Sequence, residues 1–480
     1  MKEIVQLANL YPSLAKAKLR SSNEIKYFDN LFKLTNSQKK LGKKKTFFVR
    51  TYGCQANERD SEIIKGILIA MGFVQSKDWK NANLVILNSC AIRQNAEDKV
   101  FGMLGALKAL KKKRKDLVFG LCGCMPQQEK TIPEIKHFFK EINFIFGTHN
   151  IYELPAILEN IYVYKRPLVR VHSHEGNIIE NLPDYHEHKH KALVNIMYGC
   201  DHFCSYCIVP YTRGKIRSRD KNDILNEVLL LKKQGYKDIT LLGQNVNSYG
   251  IDLKSNYRFV NLLEDVANTG IKRIRFATSN PWNFDKKIID VIAKHPNLMA
   301  YIHLPIQSGS EKILKEMKRG MKISKYLEII KTIRKKIPNC TISTDIIVGF
   351  PNETDKDFKQ TIKLYKKVKF DNAYTFIYSP RIGTPAATIK DKIDMKTKQK
   401  RLTKLNELVR KYSKWNNNQY IGKTLEVLVD GASKNDQNTL TGYSHNWKVV
   451  NFKGKAKQGE FVKVKITSSS LFSLNGEMKK

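Results

Sequence analysis

The 480-residue chain contains no apolar run reaching the about 18 residues that a membrane-spanning helix needs. Its first twenty residues, MKEIVQLANLYPSLAKAKLR, lack an unbroken apolar core followed by a small-residue cleavage site. No membrane span and no secretory leader are therefore expected, and the expected location is the cytoplasm. Thiols stay reduced there, so the eight cysteines read as metal ligands, catalytic thiols or core residues rather than as bridges. Acidic residues are the second shortage. Asp and Glu total 45 against 85 Lys and Arg, a net charge of +40. Such an excess favours a polyanionic partner, with nucleic acid first. Lys and Asn are abundant almost everywhere, however, and a compositional habit would account for part of it.

A chain of this length suggests two to four domains at about 100–200 residues each. Residues 1–45 are polar, end in KKLGKKK, and read as a basic extension, either solvated or in weak contact with phosphate. From Thr46 strand and helix patterns alternate: TFFVRTYG, NERDSEIIKGILIAMG, NLVILNS, AEDKVFGMLGALKALKKKRK, LVFGLCG, PEIKHFFKEI. That alternation predicts a parallel-sheet α/β domain over 46–165. Cys54, Cys90 and Cys124 each follow a strand, at separations of 36 and 34 residues, one βα unit apiece. The carboxyl ends of parallel strands share one edge, so these thiols are candidates to converge there. Residues 166–190 form a linker containing His186, His188 and His190, either a metal-binding tract or solvated histidines.

Strand and helix alternate again over 191–415, with six strand candidates, and an incomplete (βα)6 barrel is expected with its site at the C-terminal strand ends. Residues 416–480 show short β-rich runs with no convincing helix, which suit a small OB-like β-barrel. Its Lys448, Lys455 and Tyr443 are candidates to grip RNA, with solvated or core positions as the alternative. The tail is expected to add phosphate contacts without completing the larger barrel.

The stretch YGCDHFCSYC has no fourth cysteine: Cys200, Cys204 and Cys207 stand at C-x3-C-x2-C immediately after the first barrel strand. A structural zinc site wants four ligands, and a zinc loop is the competing reading. Cubane iron–sulfur clusters are held by thiolates, and three of them leave one iron open. This spacing after the first strand of a βα barrel resembles the radical S-adenosylmethionine (SAM) enzymes. The resemblance implies that the open iron chelates SAM and that an electron from the cluster cleaves it to a 5'-deoxyadenosyl radical. It makes Tyr206, Gly243, Gln244, Asn245 and Asp345 candidate cofactor contacts, with Gly349 facing cofactor or substrate. An ordinary βα turn is the alternative for any one of them.

Longer motifs narrow the family. TYGCQANERDSE, NSCAIRQNAEDKVFG, GCMPQ, NIMYGCDHFCSYCIVPYTRGKIRSR, LLGQNVNSYG, HLPIQSGS and FIYSPRIGTPAA closely resemble the methylthiotransferases, from Thr46 to the C-terminus. YTRG and GQNVNSYG favour the branch acting on prenylated adenosine in tRNA over those acting on threonylcarbamoyladenosine or a ribosomal protein. The resemblance implies two 4Fe–4S clusters, the second on Cys54, Cys90 and Cys124 and also with an open iron. It further implies SAM, a TRAM domain over the tail, a tRNA anticodon loop carrying isopentenyladenosine as substrate, and a reductant such as flavodoxin or ferredoxin. A monomer is expected. Three features depart from the family pattern: Ser89 where threonine is usual, SNPWNF with Trp282 in place of SHPRDF, and Cys122, which matches no ligand. Cys122 and Cys340 read as structural.

Overall fold

The computed structural model describes residues 4–6, 27–28, 32–92, 94–128, 130–172, 177–434 and 436–479. Most of the expected 1–45 extension lies outside them. Its last residues, however, pack inward: Phe32, Leu34 and Leu41 join an apolar core, and Thr35 caps the helix Asn36–Lys40.

The chain folds as two units. The first runs to Glu187 and also includes Met197–Arg219 and Arg381–Ala387. Its seven-stranded sheet is parallel throughout. The strand order is Ile4–Gln6, Leu168–Arg170, Phe144–Phe146, Val118–Gly123, Leu84–Ser89, Thr46–Tyr52 and Val74–Gln75. The strands Leu84–Ser89 and Val118–Gly123 are buried along their whole length, as expected where helices cover both faces. Side-chain alternation sends Val85, Leu87, Phe119 and Leu121 into one core, and Leu84, Ile86, Val118 and Cys122 into the other.

The second unit comprises His188–Ile196, Asp220–Pro380 and Thr388–Lys480. Six parallel strands form two three-stranded sheets, Lys191–Asn195/Asp238–Leu242/Arg273–Phe276 and Tyr301–His303/Thr341–Val348/Asn372–Ile377. A parallel bridge between Ile274 and Leu298 links the two sets. The expected six-strand incomplete barrel is therefore present, and the basic helix Met395–Asn418 packs on its sixth strand. The tail closes into a five-stranded barrel.

That small barrel seats on the N-terminal ends of the six larger-barrel strands. Asp430 accepts from His190 and Lys191, both at 2.8 Å, where the first strand starts. Lys237 donates to the Gly459 carbonyl at 2.6 Å. Arg273, 1% exposed, donates to the Tyr443 carbonyl at 2.6 Å and to Glu426. Arg275 lies 3.5 Å from the Trp447 ring centre, and Trp447 stacks on Tyr443 at 4.1 Å and meets Tyr301. Asn446 reaches the Asn339 carbonyl, and Lys448 donates to Asp371 at 2.7 Å. One expectation is corrected here. Lys448 and Tyr443 are spent on internal contacts rather than held out for RNA, because the barrel floor carries buried charges that need partners. The tail adds no strand to the larger barrel, as expected, but it covers the floor of that barrel through these contacts. Lys455 is exposed.

Trp447→Ala removes a cation–π contact and an aromatic stack, and is expected to destabilise the second unit by about 2 kcal/mol, read as a lower urea midpoint. A second outcome follows from pH. Burial raises the Asp430 carboxyl pKa, but hydrogen bonds from His190 and Lys191 overcome this and pull it down to about 2. Stability from a depressed carboxylate is complete above the unfolded value of about 3.9 and is lost as pH falls toward the folded value. Asp430→Asn is expected to reduce the pH dependence of unfolding within that acid window, leaving the share that Asp357 contributes.

Candidate iron–sulfur and SAM site

In the first unit, parallel register aligns Tyr52 with Ser89 and Ser89 with Gly123. The three chains leave the sheet together, and Cys54, Cys90 and Cys124 follow at one edge. Gly123 makes the last turn possible: its φ is +98°, and a Cβ there would meet Asn88 and Ser89 at 2.4 Å. Cys54 caps the helix Gln55–Ala70, where amide dipoles favour a thiolate. Cys90 and Cys54 share a hydrogen bond, which lowers the Cys54 pKa and raises that of Cys90. Burial raises Cys124, against the pull of Arg213.

Each sulfur also receives an N–H donor. Ile92 N–H reaches Cys90 Sγ at 3.3 Å, Arg213 Nε reaches Cys124 Sγ at 3.2 Å, and backbone amides of Asn57 and Ala56 serve Cys54. Buried Asn57 joins the strand ends, with Oδ1 3.4 Å from Cys54 Sγ and Nδ2 on Asn88 and the Ser89 carbonyl. Among the described residues no three His, Cys, Asp or Glu side chains form a single-ion site. A cubane takes one thiolate per iron, so it does not need convergence on one point, and donors aimed at sulfur suit it. Cys122 faces the apolar core and is 1% exposed. Ser89 Oγ donates to the Cys122 carbonyl at 2.9 Å, so serine suffices where threonine is usual.

Cys200, Cys204 and Cys207 also belong to this first unit. Cys200 N–H donates to the Gly214 carbonyl, and Cys207 N–H to the Cys204 carbonyl, which folds the loop into a tight bend. Gly199, at φ +74°, lies so close to the Lys215 carbonyl that no side chain fits. Burial raises the Cys200 pKa, and the nearby Cys207 and Cys204 add to the rise. Tyr206 is half-buried in the same loop. Ile208 and Tyr211 pack with Ala91 and Cys124 in one apolar cluster.

In the second unit, Gly243 and Gln244 are half-buried and Asn245 buried, directly after the second strand. Their loop is tied to the one after the third strand: Asn247 Nδ2 reaches the Asn280 carbonyl at 2.9 Å and Asn283 Oδ1 at 2.8 Å. Trp282 lies under Arg319, 4.5 Å from its ring centre, which accounts for an aromatic at that position. Asp345, in the fifth strand, stands 3.5 Å from His303 Nε2, while His303 Nδ1 meets Ser343 Oγ at 2.8 Å. Gly349 N–H donates to Glu353 at 2.8 Å. The histidine tract does not act as a set. His186 pairs with Glu62 at 3.0 Å in the first unit, whereas His188 and His190 lie in the second, where their rings meet. Sequence reasoning missed Arg213, Asp60, Asn57 and His303. All four stand inside motifs quoted above, but partners such as Asn88 for Asn57, Asp60 for Arg213 and Asp345 for His303 lie in other segments of the chain.

Three family descriptions match: the uncharacterized protein family UPF0004 over residues 46–147, the radical SAM superfamily over 194–365, and the TRAM domain over 418–479. The chain is 55% identical over 439 residues to a tRNA-2-methylthio-N(6)-dimethylallyladenosine synthase of Malacoplasma penetrans, covering 91% of this chain and 89% of that one. It is 51% identical over 471 residues to the protein of the same name from Bacillus subtilis, covering 97% and 92%. The chain belongs to the tRNA-2-methylthio-N(6)-dimethylallyladenosine synthase family. Membership brings a 4Fe–4S cluster and SAM as cofactors and closes the zinc reading. In fold, this chain resembles TsrM, a radical SAM methyltransferase from Kitasatospora setae solved with cobalamin and a [4Fe-4S] cluster. The TM-score is 0.51 at 13% identity, over 72% of this chain and 77% of that one.

Cys122→Ala is expected to leave iron and sulfide content unchanged in anaerobically reconstituted protein, since its thiol faces the core. Loss of iron would show that Cys122 is a ligand.

Proposed function

We propose that this protein is a radical SAM methylthiotransferase that replaces the C2 hydrogen of isopentenyladenosine 37 in tRNA with a methylthio group. Identity above 50% to two proteins of that name, across nearly the whole chain, carries the reading. Cys200, Cys204 and Cys207 hold the SAM-binding cluster; Cys54, Cys90 and Cys124 hold a second, sulfur-carrying one. The bound cofactors supply the radical that attacks an unreactive C–H bond and the sulfur that replaces its hydrogen. The residues of the chain orient and enclose them. Tyr206, Gly243, Gln244, Asn245 and Asp345 contact SAM. The domains run 46–165, 191–415 and 416–480, and the +40 charge serves tRNA binding. The target base leaves the anticodon loop to reach the site, which costs less in a single strand than in a duplex. The protein works in the cytoplasm as a monomer, with electrons from a flavodoxin or ferredoxin.

A pocket shaped for the isopentenyl group gains about 0.8 kcal/mol per buried CH₂ and fixes the base for radical transfer. Three anticodon stem-loops test this: unmodified, isopentenylated and threonylcarbamoylated, with nucleoside mass spectrometry as the readout. Turnover is expected on the second alone. Equal turnover on the first two would defeat the pocket, and preference for the third would reassign the substrate. The triads are separable: Ala at Cys200, Cys204 and Cys207 abolishes SAM cleavage, whereas Ala at Cys54, Cys90 and Cys124 leaves cleavage but ends sulfur insertion. Methylthiolated product from the latter variant would refute the assignment.

A further inference from the structure

Arg213 follows the SAM-cluster cysteines in sequence, yet its side chain serves the other triad. Its Nε donates to Cys124 Sγ at 3.2 Å, and its Nη2 meets Asp60 Oδ2 at 2.6 Å. Both side chains of this ion pair are under 8% exposed. The neighbouring backbone fixes the arginine. Arg213 N–H donates to the Val209 carbonyl, its own carbonyl accepts from Arg217 Nη2 at 3.0 Å, and the Gly214 carbonyl takes the Cys200 N–H. One loop therefore holds a cysteine of one triad by its backbone and a cysteine of the other by its side chain.

A buried ion pair is expensive to dehydrate, and apolar replacements of similar volume are often as stable. Its arrangement here is informative: the guanidinium touches sulfur with one nitrogen and the carboxylate with another, so the cation stands on the sulfur and the anion on the cation. Hydrogen bonds to ligand sulfur and the net charge around a cluster are among the terms that set its reduction potential. Reduction adds one electron, hence one negative charge, spread over iron and sulfur. A guanidinium on a ligand sulfur stabilises that charge, and Asp60 opposes it.

We infer that Arg213 is a positioning residue that raises the reduction potential of the cluster on Cys54, Cys90 and Cys124, with Asp60 as its counterweight. The inference rests on the second cluster proposed above. It explains why an arginine, rather than an apolar residue, fills a sealed position: the fork of N–H donors reaches sulfur and carboxylate at once, which lysine cannot do.

The test uses the full chain with Cys200, Cys204 and Cys207 changed to Ala, so that only the N-terminal triad can carry a cluster. It is reconstituted anaerobically, then titrated with dithionite and followed by electron paramagnetic resonance. Arg213→Gln is expected to make reduction at least tenfold less favourable, which for one electron is about 59 mV more negative. Asp60→Asn is expected to shift the potential the opposite way, and Arg213→Lys to fall between wild type and Gln. Opposite signs are the signature, because a pair that only braces the fold would not move the potential in two directions. Should Arg213→Gln fail to hold a cluster, the Asp60→Asn and Arg213→Lys shifts decide. Unmoved potentials, or shifts of one sign, overturn the role of Arg213 while leaving the cluster assignment standing. A parent chain that binds no 4Fe–4S cluster instead refutes the second cluster, and this inference with it.

Discussion

The parallel register of three adjacent strands is the constraint on which the N-terminal site depends. Thr46–Tyr52, Leu84–Ser89 and Val118–Gly123 pair without a slip, so their chains leave the sheet at one level. A shift of one residue would exchange the faces of every side chain on a strand and put Gly123 or Met125, not Cys124, in line with the other two cysteines. Complete burial of the two inner strands makes such a shift costly, since each face packs its own core. The geometry of the thiols is thus a consequence of hydrophobic packing several residues away. Gly123 and Asn57 finish the arrangement, one by permitting the turn and the other by reaching Cys54, the Leu84–Ser89 strand end and Cys124.

Buried charge organises both units, in different ways. In the first, Arg213 and Asp60 sit behind Cys124, with the cation toward sulfur. In the second, Lys191, Arg273, Arg275 and Asp238 meet at the N-terminal strand ends, where the small barrel covers them with Asp430, Glu426 and Trp447. Such groups are tolerated inside a protein only when paired or hydrogen-bonded. A portion of the large basic excess is therefore structural. The TRAM barrel meets the barrel floor with some of its side chains and keeps others, Lys455 among them, exposed.

Much of this was legible in the chain. Apolar alternation and helical periodicity marked six strands of the larger barrel and the helices between them, because each element's burial is recorded locally in its own side chains. Cysteine spacing identified two triads, and the 36- and 34-residue intervals matched βα units that the structure contains. Cys122 was legible for the same reason, as a strand residue two positions from the edge. The histidine tract was not. His186, His188 and His190 look alike in sequence, yet the chain passes from one unit to the other between His186 and His188, and each ring takes the partners of its own unit.

The sequence by itself determined the folding elements, the two cysteine triads and the family, since these are written in residue type and spacing over short distances. Tertiary structure alone decided the use of individual charges. Lys448 and Lys455 differ by seven positions and share one chemistry, but Asp371 captures the first and solvent keeps the second. Arg213 has its carboxylate 153 residues away and its sulfur 89 away. A charge acts through what lies within a few ångströms of it, and in a folded chain that neighbourhood is assembled from segments whose sequence separation carries no record of their proximity.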